Sequence, residues 1–196
     1  MPKYFSITCL WLLGAACTAS AQRLDSVGVK KSHFVFYLDA GQAHYLGNIV
    51  IFESHLDPWN YAICTRIMWE PEQMISLGIE SGYAQLYTAS FTGIMDRHTL
   101  ITKSIIPIQF VASIKFLREC YANLSMGQAS VRTHVQTSGN GTTNSSTWSL
   151  ADFGIATGWR HYLSKRFLFG VEAKSFYSTK SNDGTIMLVA MAGYSF

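Results

Sequence analysis

Apolar and polar residues alternate with a period of two through most of the chain beyond residue 33. A strand places successive side chains on opposite faces, so such alternation predicts strands with one greasy face. The first runs over 34–45, with Phe34, Phe36, Leu38 and Ala40 against Val35, Tyr37, Asp39 and Gly41; the run Ile49 to Phe52 offers 44–54 as a competing first strand. Further alternating stretches follow at 61–69, 75–84, 106–116, 122–131, 151–159, 167–177 and 184–196. Pro107 falls inside one of them, where it cannot donate a ladder hydrogen bond; a bulge there would tolerate it. These eight stretches are joined alternately by short turns (70–73, 117–120, 163–165) and longer loops (54–60, 88–100, 133–147, 178–184). The loop 133–147 is rich in Gly, Asn, Ser and Thr and has no apolar period.

Composition decides what the greasy faces look at. Hydrophobic residues make up 48% of the chain and charged residues only 14%, against about 25% charged in an ordinary soluble domain. No stretch after residue 33 is apolar for 18 residues, so helical spans are excluded. A membrane protein without such helices has to be a closed barrel, because lipid cannot satisfy an open strand edge. The expected fold is therefore all-β: an eight-stranded antiparallel up-and-down transmembrane β-barrel over 34–196, with apolar faces on lipid and the opposite faces lining a polar interior. Trp69, Phe116, Trp159, Phe167, Tyr194 and Phe196 fall on the outward phase near the short turns, and Tyr61, Tyr83 and Tyr177 near the long loops. Two aromatic girdles are the pattern of an outer-membrane barrel.

The N-terminus points to the same compartment. Lys3, an apolar run over Ile7 to Ala16 and the small residues Thr18-Ala19-Ser20-Ala21 have the three-part form of an export signal. Cleavage after Ala21 is expected, with 22–33 as a polar periplasmic lead-in. A lipoprotein signal through Cys17 is weaker, since Gly14 stands where an apolar residue is required. Loss of Lys3 lowers the formal charge from +3 to +2, too little and too dispersed for a nucleic-acid face. Cys64 and Cys120 remain, on different faces and at different depths.

The last thirteen residues, Gly184 to Phe196, carry Ile186, Leu188, Ala190, Ala192, Tyr194 and Phe196 on one face. This resembles the terminal strand of bacterial outer-membrane barrels, which implies that Tyr194 and Phe196 form an assembly signal read by the outer-membrane assembly machinery. From about Ile105 onward the chain resembles the Bacteroidota-type outer-membrane β-barrel domain, related to the OmpA/OmpX/OmpW-like barrels. The residues that carry the likeness are Ile106-Pro107-Ile108, Tyr121 to Gly127, Phe153 to Gly158, Leu163 to Phe167 and Ala192 to Phe196. The resemblance implies the bacterial outer membrane as location and its lipid as partner; a monomer is expected.

The candidate chemistry lies on the inward phase. Arg66, Glu80, Lys103, Lys115, Asp152, Arg160, Glu172 and Lys174, with Asp39, are expected to pair into a structural network that plugs the lumen, since eight strands leave room only for side chains. A three-residue turn would set Arg66 opposite Gly78 and Glu80 diagonally within reach. The competing readings are a narrow channel for small solutes, a soluble lipocalin-like ligand binder and a lipid-modifying enzyme. The last would use His161 with Ser164, or His98 with Asp96 and a nearby serine. No nucleophile elbow, zinc or phosphate-loop motif is present, the six histidines are scattered, and neither catalysis nor a cofactor or metal is expected.

Overall fold

The computed structural model describes residues 32–47, 55–71, 74–92, 98–138, 141–149, 151–179 and 183–196. The expected export signal, most of the lead-in and the run Ile49 to Phe52 lie outside these residues. The described chain forms β1 (His33–Tyr45), β2 (His55–Asp57), β3 (Trp59–Glu70), β4 (Ile75–Thr92), β5 (His98–Lys115), β6 (Cys120–Thr137), β7 (Gly141–Trp148), β8 (Asp152–Tyr162), β9 (Phe167–Ser178) and β10 (Asp183–Ser195). β2 and β3 lie end to end along β4, and β7 and β8 end to end along β6. The ten segments therefore make eight staves. Every neighbouring pair is antiparallel, and β1 closes the cylinder on β10 from Val35↔Ser195 to Tyr45↔Thr185. At this seam the strands are pressed together at Gly41, where a Cβ would lie 2.0 Å from the carbonyl oxygen of Leu188.

The alternation resolves as the composition requires. Phe110 is 70% exposed, Ile155 and Leu188 each 65%, while Glu172 is 1% and Asp39 0% exposed. Ile108, Phe153 and Phe169 also face outward. An aqueous surface would leave this belt unsatisfied; hydrocarbon satisfies it. A lipocalin-like soluble barrel has the reverse polarity, and that reading falls. Trp159 meets Phe169, and Phe167, Tyr194 and Phe196 contact in series at the short-turn end. Tyr61 meets Tyr83 toward the other end.

Three expectations need correction. First, 88–100 and 133–147 are not simply loops. β4, β5 and β6 each run 18 residues, about eight more than the 9–11 that span a bilayer. The surplus stands beyond the membrane as a sheet in the order β2, β4, β5, β6, β7. β7 is exposed at every position, so neither face needs apolar residues and no apolar period marks it. Gly141 opens it with φ of 87°, in the left-handed region. Second, Pro107 is not at a bulge. The β4–β5 ladder has no pairing between Ser81↔Ile108 and Ala84↔Ile105, where Pro107 lies, and shifts register only between Gln85 and Tyr87. Third, the interior is not uniformly polar. Two apolar layers are interleaved with its charges. Val35, Tyr37, Met68, Val111, Tyr121, Leu168 and Met191 pack on the short-turn side. Leu86, Ile105, Val131, Phe176, Met187 and Val189 pack toward the projecting sheet with Ala43, Ala62, Ala84 and Ala129.

The orientation is open to direct test. Phe110→Arg, midway along the lipid-facing part of β5, is expected to cost about 2–4 kcal/mol in urea titrations of folding into lipid vesicles. A loss under about 0.5 kcal/mol, as at an ordinary water-exposed site, would contradict it.

Candidate functional site

The inward phase of β1, β3, β4 and β9 brings Asp39, Arg66, Glu80, Glu172 and Lys174 into one buried cluster. Arg66 and Glu80 are direct register partners rather than diagonal ones. The strand persists to Glu70 and the connection occupies 71–74, which slides the pairing by two residues. Arg66 grips Glu172 with both guanidinium nitrogens, at 2.9 and 3.4 Å, the forked geometry that suits a carboxylate. It also lies 3.4 Å from Glu80 and 3.8 Å from Asp39. Glu172 further accepts from the Tyr121 hydroxyl at 2.5 Å and from Asn123 Nδ2 at 3.0 Å.

Asp39, Glu80 and Glu172 bring oxygens within 4.8 Å of one another, a spacing that suits a metal ion. Here the Lys174 ammonium holds that position. Its Nζ is 2.7 Å from Asp39, 2.9 Å from Glu80 and 3.1 Å from Glu172. The lysine is thus, beside Arg66, a covalently tethered cation of the cluster.

A second group lies nearer the short turns. Arg160 forks onto Glu70 at 2.6 and 2.9 Å. Lys115 donates to the same carboxylate at 2.7 Å. Tyr37 donates to Glu70 at 2.5 Å and accepts from Arg160. The Arg66 and Arg160 guanidiniums lie over the Tyr37 ring at 5.1 and 5.9 Å, so this tyrosine links the two groups. Taken together, four carboxylates (Asp39, Glu70, Glu80, Glu172) face four cations (Arg66, Lys115, Arg160, Lys174).

Two of the candidate residues stand apart. Lys103 pairs with Asp183 at 2.7 Å toward the projecting sheet, where Tyr45 donates to the same carboxylate. Asp152 is fully buried but bonds Ser149, and its other oxygen accepts the Thr179 N–H at 3.3 Å. It fastens the joint between β7 and β8 rather than the charge network. Glu70 falls in the short turn 70–73 that the sequence predicts ahead of Pro71, but the structure keeps it in β3. The series Arg66, Met68, Glu70 already marks its inward phase. Tyr37, Tyr121 and Asn123 carry the same signal of a polar group on an inward position.

His161 and Ser164 are not brought together. His161 Nδ1 is 2.7 Å from Glu119, whereas Ser164 Oγ accepts the N–H groups of Arg166 and Phe167. Asp96 lies outside the described residues. Glu119 sits in the water-facing turn 116–119. Hydrogen bonds from His161, and then from Trp159 Nε1 at 2.8 Å, hold its carboxyl below the ordinary carboxylate range. That contribution is complete above the ordinary range and is lost as pH falls through the lowered value.

Two outcomes follow. Lys174→Met is expected to destabilise the barrel by about 3–5 kcal/mol, since it leaves buried carboxylates unpaired; added divalent cation should restore part of the loss in a urea titration. Acid titration of Trp159 emission should show a transition below the ordinary carboxylate range that moves upward in His161→Ala.

No family model matches the chain, and no curated protein matches it in sequence. Among solved structures it is similar to Ail, the attachment invasion locus protein of Yersinia pestis, crystallised with the heparin analogue sucrose octasulfate. The identity is 10%, with a TM-score of 0.51 over 85% of this chain and 99% of that one. Neisserial surface protein A, at 13% identity, gives 0.49 over 83% and 97%. The N-terminal β-barrel domain of Pseudomonas aeruginosa OprF, at 11% identity, gives 0.47 over 85% and 100%. At such identities the likeness to Ail speaks for the fold alone, which is that of an eight-stranded outer-membrane β-barrel.

Proposed function

We propose that this chain is an integral barrel of a bacterial outer membrane with a structural and surface-presenting role, its lumen plugged by its own side chains. The observation that carries this is the four-against-four charge network. Its members come from β1, β3, β4, β5, β8 and β9 and form two groups, with the layer of Val35, Met68 and Val111 between them and the second apolar layer toward the projecting sheet. Such an arrangement favours a closed cylinder, because a passing ion would have to separate pairs that low dielectric holds together. The sheet projecting beyond the membrane is the part available to the outside. The outward Tyr194 and Phe196 of the terminal strand are suited to recognition by the assembly machinery, and membrane lipid is the immediate partner.

One feature favours a narrow channel as a second reading. A cavity of about 30 Å³, room for a water molecule or two, lies beside the network and is lined by Cys64, Arg66, Gln109, Asn123 and Lys174. Gln109 Nε2 and Asn123 Oδ1, both buried, have no protein partner, so water fits here.

Conductance separates the two. In planar bilayers the wild-type barrel should be silent, and Arg66→Ala, which withdraws the fork from Glu172, should raise the frequency of openings. Steady single-channel current from the wild type would instead support the channel, and a silent Arg66→Ala barrel would remove Arg66 from the plug.

A further inference from the structure

Two short turns stand side by side at the periplasmic rim: 116–119 between β5 and β6, and 163–166 between β8 and β9. β8 ties them together. The Arg160 N–H donates to the Glu119 carbonyl at 2.8 Å, and the Ser195 N–H donates to the Arg166 carbonyl at 2.7 Å, which brings the end of β10 alongside. Arg118, Lys165 and Arg166 project from these turns, all exposed. The carboxylate in the same turns, Glu119, is already bound by His161 and Trp159. The three cations are therefore left with little neutralisation from their own turns; Arg166 has only a 3.4 Å contact to the Tyr194 hydroxyl. Directly against this basic strip lies the outward belt of Leu117, Leu163, Phe167, Tyr194 and Phe196.

We infer that this sector of the rim binds the headgroup phosphate of an anionic phospholipid in the adjoining leaflet. Charge complementarity and position select that occupant. Arginine forks onto phosphate oxygens, and lysine and arginine beside a membrane draw anionic headgroups while their stems lie along apolar surface. The acyl chains of the same lipid then run along Phe167, Tyr194 and Phe196. The inference rests on the membrane placement of the barrel and is independent of whether its lumen is plugged.

The test uses the folded full chain in micelles holding equal amounts of phosphatidylglycerol and phosphatidylcholine with identical acyl chains, read by native mass spectrometry. Heat-modifiable migration on gels reports folding separately, so a failure of the barrel itself is seen as such. The wild type should retain phosphatidylglycerol over phosphatidylcholine by about tenfold, as several basic groups at one anionic surface imply. Arg118→Gln/Lys165→Gln/Arg166→Gln should fall to within about twofold, and Arg132→Gln, exposed on the projecting sheet, should keep the wild-type preference. Equal retention of the two lipids by the wild type, or a preference that survives the triple substitution, would overturn the inference. So would binding of a peptidoglycan fragment through the same three residues with no lipid preference. Should the triple variant not fold, the wild type in rising ammonium acetate decides: the preference should fall, and its persistence counts against the site.

Discussion

In hydrocarbon every backbone N–H and C=O must find its partner within the protein. That constraint is met here at one place above all, the seam where β1 pairs with β10 over eleven register positions. Without it the sheet would present two raw edges to lipid. With it, alternation assigns each side chain to lipid or to the interior, and eight staves leave an interior about as wide as the side chains that fill it. The tight approach at Gly41 shows how little slack the closure has.

The interior then has its own consequence. Charges removed from water are stable only when paired and hydrogen-bonded. The lumen satisfies this in layers. Apolar layers are interleaved with the charges, and Asp39, Glu70, Glu80 and Glu172 are matched by Arg66, Lys115, Arg160 and Lys174. Tyr37 and Tyr121 serve both needs, with their rings in the apolar layer and their hydroxyls on Glu70 and Glu172. Lys174 replaces the ion that three converging carboxylates would otherwise favour. The network is thus a product of closure, since its members come from strands far apart in sequence and adjacent only around a cylinder.

Most of this was legible in the sequence wherever one face of a strand meets lipid. β1, β3, β8, β9 and β10 alternate cleanly because one side of each is hydrocarbon-facing, and the inward charges on them were read from phase alone. Legibility ended where that asymmetry ends. β7 is wet on both faces, so Thr142 to Thr147 carry no period. The upper part of β4 lost its phase at the register shift beyond Gln85. Glu70 was hidden by the turn chemistry of Pro71, and the same misplaced boundary put Arg66 opposite the wrong residue. Asp152 has the right phase and lies among Ser149 and Thr179 instead, because phase gives direction and not neighbours.

The most direct measurement is a cross-link at the seam. Ala40 and Ala190 are register partners on β1 and β10 and lie on the outward phase of both strands. In a Cys64→Ser/Cys120→Ser background folded into lipid vesicles, Ala40→Cys/Ala190→Cys should oxidise to a disulfide nearly completely, whereas Ala40→Cys with Leu188→Cys should oxidise poorly. Failure of the first pair to cross-link in folded, inserted protein, or equal cross-linking of both pairs, would show that the cylinder is not closed in this register.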